Sequence, residues 1–210
     1  MTDRPLSATL GPTLVDGPRR AQATEGAHAG ETASIDELAV AATEGNVEAV
    51  GRLYDALVEP IYRYVAMRLR RREDAEDVTQ LVFERIVAAL PRYRHQGRPF
   101  SAWAFRIARN AVIDHQRRYR PTEPLGAIAE PTDGVLIEVL SLRDEEVREL
   151  RAAIRCLTPD QQEALALRYG AGLSAEEAAR VMGRQAGTIR GLTFRAIERL
   201  RRKLPRDVAT

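Results

Sequence analysis

From residue 35 onward the apolar residues return at helical intervals, and no stretch alternates apolar with polar residues as a strand does. The clearest run is Val50, Leu53, Tyr54, Leu57, Val58, Ile61, Val65 and Leu69, whose spacing of three and four residues puts one face of a helix into a core. Pro60 falls inside this run and predicts a kink. A chain patterned in this way folds as an all-α protein.

Helix boundaries are written in short polar motifs. Ser34 followed by Glu37 forms a capping box ahead of a first short helix, which Gly45-Asn46 ends. Asp74 is the expected cap of a helix reaching Leu90, where Pro91 closes it. A loop from Tyr93 to Pro99 leads to a helix over about 101–119. A further helix covers about 142–156. Thr158-Pro159-Asp160-Gln161 opens the next, with a cap, a proline at the first helical position and a capping-box Gln, and that helix ends near Gly170. Ser174 with Glu177 caps another that stops at Gly183, and a last helix spans about 186–203.

These signals divide the chain. Residues 1–33 hold three prolines, four glycines and no period, and are expected to be a disordered extension. Residues 34–119 form a first helical domain and 142–205 a second, a helix-turn-helix bundle. Between them, 120–141 is a flexible linker with Pro121, Pro124, Pro131, Gly126 and Gly134.

Composition removes several functions. The single cysteine, Cys156, and three histidines leave no set of ligands for a zinc site, so no metal and no cofactor is expected. No phosphate-binding loop, nucleophile elbow or H-E-x-x-H motif is present, and the chain reads as a non-enzyme. The absence of a long apolar run or a signal peptide points to a cytoplasmic protein.

The net charge of +2 conceals segregation. Residues 98–120 carry six arginines and one Asp, and 184–206 carry seven arginines, one lysine and one Glu, whereas 121–150 carry eight acids and two arginines. Two basic blocks around an acidic one suggest a polyanion partner.

Three constellations carry function. In 174–200, Ala179, Gly183 and Ile189 have the spacing of a helix-turn-helix: a small residue at the helix crossing, a glycine at the turn and an apolar anchor. On the last helix Ile189, Leu192, Ala196, Leu200 and Leu204 form an apolar stripe. Arg184, Thr188, Gly191, Arg195 and Arg202 form the opposite face, suited to phosphates and base edges in a major groove. Phe194 lies off the stripe, suited to a thymine methyl or a partner. On helix 101–119, Trp103, Ile107, Asn110, Asp114 and Arg117 share one face, and Phe105, Ala108 and Val112 the other. An aromatic ring beside Asn, Asp and arginines suits unstacked bases, although Trp103 and Ile107 would equally serve a core. On helix 74–90, Val78, Leu81, Val82, Ile86 and Ala89 form a core stripe. Phe83, Val87 and Leu90 form a second apolar patch, with Asp77, Gln80 and Glu84 as a polar strip. Such a helix is deeply buried or binds a partner.

The segments DAEDVTQLVFERIVAAL (74–90), FSAWAFRIARNAVIDHQRR (100–118) and LTPDQQEALALRYGAGLSAEEAARVMGRQAGTIRGLTFRAIERLRR (157–202) resemble the extracytoplasmic-function (ECF) group of bacterial sigma-70 factors. That resemblance implies a promoter-specificity subunit of RNA polymerase. Asp77, Gln80 and Glu84 would bind the clamp helices of the largest core subunit, and the second domain would also touch the flap. Arg94, Arg98, Trp103, Asn110, Asp114, Arg117 and Arg118 would recognise and melt the −10 element, capturing a flipped base. Arg184, Gln185, Thr188, Arg190, Gly191 and Arg195 would read the −35 element as duplex. The acidic linker would thread the polymerase channels, and an anti-sigma factor is a further expected partner. No membrane insertion is expected.

Two departures from the family pattern stand out. Leu81 takes the place of a Glu usual after the Gln of the clamp-binding helix. Gly187-Thr188-Ile189-Arg190-Gly191-Leu192 replaces the usual Gly-Thr-Val-Lys-Ser-Arg, so the family's common −35 sequence is not carried over to this chain. The residues also admit a helix-turn-helix regulator that binds duplex DNA without polymerase.

Overall fold

The computed structural model describes residues 33–69, 71–95, 97–119 and 144–204. The expected extension, apart from Ala33, and the expected linker lie outside these residues. Every regular element among them is helical. The order is α1 (Ile35–Thr43), α2 (Val47–Arg68), α3 (Arg72–Ala89), a 3₁₀ turn (Leu90–Arg92), α4 (Phe100–Arg118), α5 (Asp144–Arg155), α6 (Pro159–Leu165) continued by a π turn (Ala166–Gly170), α7 (Ala175–Met182) and α8 (Ala186–Lys203).

Three capping boxes form as their motifs predict. Ser34, Thr158 and Ser174 each accept from the backbone N–H three residues on, and Glu37, Gln161 and Glu177 accept in return. Satisfying two N–H groups that the helix leaves unpaired starts each helix at a defined residue. Glu37 sits low relative to the ordinary carboxyl value because the Ser34 N–H, then its hydroxyl, bonds the ionised form. Gly183 ends α7 at φ +65°, a left-handed position that favours glycine.

The start of α3 corrects the sequence reading. Arg71, not Asp74, is the N-cap, and the helix begins at Arg72. Arg72 pairs with Glu76 one turn on, at 2.8 Å. Asp74 therefore lies inside the first turn, where its charge favours the positive helix end and where His115 of α4 reaches it at 3.6 Å. Pro60 is accommodated within a continuous α2.

The core runs through both halves. Leu53, Leu57, Ile61 and Val65 of α2 pack with Val78, Val82 and Ile86 of α3, and with Phe100, Phe105, Ala108 and Val112 of α4. The same cluster takes in Leu167, Leu173, Ala178 and Ile189 of the second half. A second cluster, Ala153, Leu157, Leu165, Ala196 and Leu200, ties α5 and α6 to α8. The two halves pack together: α2 touches the π turn and α4 touches α7.

Candidate nucleic-acid interface

The 3₁₀ turn, the following loop and the start of α4 enclose a cleft of about 270 Å³. Its aromatic wall comes from sequence spacing. Phe100 and Trp103 lie one turn apart on α4, and Tyr93 meets both across the loop, with ring centroids 5.0–5.1 Å apart. Phe100 and Tyr93 are buried, which leaves Trp103 half-buried with part of its ring open to the cleft. Arg92, Arg94, Arg98 and Arg106 rim it. Burial, then the nearby Asp36 charge, pushes the Tyr93 hydroxyl above its ordinary value, so it stays protonated at neutral pH. Asp36 of α1 anchors the site by accepting from the Phe100 N–H at 2.5 Å, where Pro99 has no side-chain cap to offer.

The structure sorts the expected −10 residues. Arg98 and Trp103 line the cleft. Arg94 does too, but its guanidinium also donates to the carbonyls of Pro91 and Tyr93 and so shapes the loop. Asn110 is exposed farther along α4, and Arg117 and Arg118 are exposed at its end. Asp114 pairs with Arg85 of α3 at 3.4 Å, which braces the two helices. Arg92 and Arg106 were missed by sequence reasoning. Arg106 could have been found, because it stands one turn beyond Trp103; Arg92 depends on how the 3₁₀ turn folds.

On the helix-turn-helix, the expected apolar stripe of α8 faces inward, with Ile189, Ala196 and Leu200 buried and Leu192 and Leu204 half-buried. Gln185, Thr188 and Arg195 are exposed. Gly191 is half-buried beneath Arg195, whose guanidinium atoms lie 3.7–3.9 Å from where a Cβ on Gly191 would stand. Phe194 projects into solvent at 67 % exposure. Two of the expected readers are already paired within the chain. Arg184 bonds Asp160 of α6 at 2.6 Å, and Arg190 bonds Glu176 of α7. Sequence reasoning placed Arg184 on the outer face and named Arg190 among the readers, but could not see carboxylates arriving from other helices.

On the opposite side of α3, a groove of about 830 Å³ opens against α2. Tyr54, Val58, Tyr62 and Phe83 form its apolar floor, Val87 is 52 % exposed at its edge, and Gln80 and Glu84 bond each other at 3.0 Å on its rim. Asp77 is exposed on the same helix but does not line the groove. The second apolar patch of α3 is thus only partly covered. Leu90 is buried, and Leu81, expected in the core stripe, is half-buried.

Among the described residues no group of His, Cys, Asp and Glu is placed to hold a metal, and no helix is long and apolar enough to cross a membrane. Two exposed faces with different chemistry, an aromatic cleft and a helix-turn-helix, match two family models. Residues 53–122 match Sigma-70 region 2, and residues 147–200 match Sigma-70, region 4. The chain is 38% identical over 186 residues to the ECF RNA polymerase sigma factor BldN of Streptomyces coelicolor, an alignment covering 84% of this chain and 68% of that one. The chain belongs to the ECF sigma factors of the sigma-70 family.

As a sigma factor it is a promoter-specificity subunit of RNA polymerase. It is also 38% identical to the ECF sigma factor SigC of Mycobacterium tuberculosis, over 80% of this chain and 92% of that one. Its structure resembles that of CnrH in complex with the cytosolic domain of CnrY, at 26% identity and a TM-score of 0.60, covering 78% of this chain and 92% of that chain. These relatives give no support to a regulator that works without polymerase.

Proposed function

We propose that this sigma factor splits promoter reading between its two halves, with single-stranded −10 DNA held by α4 and its preceding loop, and duplex −35 DNA held by α8. The observation that carries the reading is the Trp103 ring, half-open in a cleft rimmed by four arginines. A flipped base needs a stacking surface with phosphate donors around it, and duplex DNA needs neither a cleft nor a ring. The exposed amide of Asn110 supplies a donor and an acceptor for a second base edge.

Duplex reading falls to Gln185, Thr188 and Arg195, with Arg184 and Arg190 reaching phosphates once their carboxylate partners yield. The α2–α3 groove, with Gln80 and Glu84 on its rim and Asp77 nearby, is the docking face for the polymerase clamp helices. Its apolar floor supplies buried area and its polar rim sets register. The protein works in the cytoplasm, binds DNA without catalysing a reaction, and offers surfaces that an anti-sigma partner would cover; the similar CnrH was solved with a second protein, CnrY.

Run-off transcription with purified core polymerase tests this division. Initiation should depend on the added chain. Asn110→Ala should reduce permanganate reactivity at −10 more than it reduces initial docking, and Asp77→Ala should weaken core binding while leaving the thermal melt in place. Unchanged opening by Asn110→Ala would remove that residue from the site.

A further inference from the structure

Where the two halves meet, a carboxylate is buried among cations. Glu163 of α6 is 5 % exposed at its side chain and accepts from the Tyr64 hydroxyl of α2 at 2.7 Å. Arg68 of α2, 8 % exposed, lies 3.2 Å from one carboxylate oxygen, and Arg109 of α4 lies 3.5 Å from the other. Arg68 also donates to Gln162 at 3.1 Å. Burial, then the Glu163 charge, pushes the Tyr64 hydroxyl well above its ordinary value, so it remains a donor.

This cluster has more cation than anion. Two guanidiniums face one carboxylate, each through a buried Nε that lies within ion-pair reach of it without the alignment of a hydrogen bond, while Arg109 keeps 30 % of its side chain exposed. A buried surplus of donors is costly unless another state satisfies it. Around the cluster the junction is tight but polar. Ser101 of α4 donates to Glu177 of α7 at 3.0 Å, and a methyl group on Gly170 would stand 2.8 Å from Met67 Sδ and 3.3 Å from Tyr64 Cα.

The closed junction conflicts with the promoter reading proposed above, on which this inference rests. Elements centred at −10 and −35 lie about 25 base pairs apart, roughly 85 Å of B-form DNA at about 3.4 Å per pair. Helices α4 and α7 touch, so one promoter cannot be held at both elements until the halves separate.

We infer that Glu163 stands in for a nucleic-acid phosphate: it closes the two halves by occupying a basic pocket, formed by Arg68, Arg109 and the Tyr64 hydroxyl, that takes a backbone phosphate of promoter DNA once the halves part. Arg109 belongs to α4, the helix proposed to hold the −10 strand, on a face turned about 100° from that of Asn110. The ligand has the chemistry of the carboxylate it replaces, an anion with several acceptor oxygens, and arginine's planar fork suits both.

The test uses the full chain with core polymerase and a promoter fragment. Spin labels at Val47→Cys and Arg201→Cys, in a Cys156→Ser background, report the separation of the halves. The distance should lengthen by tens of ångströms when core and promoter bind. Glu163→Gln should shift the free protein toward the longer distance and raise promoter-complex formation by roughly three- to tenfold, the gain expected when a minority competent state is released. Arg109→Ala removes the same ion pair yet should lower promoter affinity and reduce the salt slope by about one. Opposite signs from these two variants identify a phosphate pocket; equal increases would reduce Glu163 to a simple clasp and overturn the proposal. An unchanged distance in Glu163→Gln, or in the promoter-bound wild type, would overturn it as well. Should Glu163→Gln fail to fold, Gly170→Val wedges the junction with every charge in place and must give the same lengthening. Absence of run-off transcription by the wild type would count against the sigma reading itself rather than against this pocket.

Discussion

The two surfaces proposed to face DNA are built on opposite principles. At the start of α4 the key ring is held in place by other rings: Phe100 and Tyr93 are buried, and Trp103 leans on both. On α8 and the turn before it the expected readers lie at the surface, and two are held by charge, Arg184 by Asp160 and Arg190 by Glu176. Aromatic packing is short-ranged and indifferent to salt, so it preserves a shape. Surface ion pairs are weak and screened, so they yield to a denser field of phosphates. The first surface suits a ligand that must be pulled out of a stack and kept; the second suits one that is met, tested and released.

The comparison can be broken most directly at Trp103. Replacing it with Ala should cost open-complex formation on the order of 1–3 kcal/mol, the worth of one stacked base, while closed complexes still form. Permanganate reactivity at saturating protein measures this, with a thermal melt to separate lost stacking from lost packing. If closed and open complexes weakened equally, the cleft would be a structural feature and the contrast would fail.

Arg195→Ala should cost about 1–2 kcal/mol at −35 and relax discrimination there, which competition between promoter variants reads out. Its effect should fall mainly on duplex docking, the reverse of Trp103→Ala. Smaller again is the effect of freeing the paired arginines. Asp160→Asn and Glu176→Gln should each tighten non-specific duplex binding by about 0.2–1 kcal/mol and steepen its salt dependence, because a cation formerly neutralised within the chain now meets phosphate. Flat salt slopes would show that these pairs do not compete with DNA.

The smallest expected effect concerns Glu177, which caps α7 and accepts from Ser101 across the junction. Burial works to raise its carboxyl, but the Ser174 N–H and hydroxyl, the Ser101 hydroxyl and Arg180 outweigh it, and the group ends below its ordinary value of 4.5. A lowered folded value favours folding when the group is ionised. That contribution is fully present above pH 4.5 and is lost as pH falls through the lower folded value. Thermal melts of Glu177→Gln should show a shallower loss of stability across that acid limb than the wild type.

Much of the fold could be read in advance because its causes are local. A capping box needs residues three apart, a left-handed stop needs a glycine, and a buried helix face needs apolar residues at three and four. Ser34, Thr158, Ser174, Gly183 and the α2 stripe all satisfy these within one or two turns. The misplacement of the α3 cap shows the limit of that reasoning, since an acidic residue in the first turn serves the helix as well as one just before it. At the candidate site, Trp103, Asn110 and Arg195 could be chosen from helical wheels. Arg92 could not, because its place in the cleft depends on how the 3₁₀ turn brings it round.

By itself the order of residues determined the helices, most of their ends, most of their inward faces and the family, because each depends on neighbours within a few positions or on motifs carried whole. Only the tertiary structure decided which charges meet. Glu163 reads in sequence as one acid between a polar helix start and an apolar run, and nothing local distinguishes Arg68 or Arg109 from the other 29 arginines. Electrostatic pairing acts through space, and 99 residues of chain separate Tyr64 from the carboxylate it bonds.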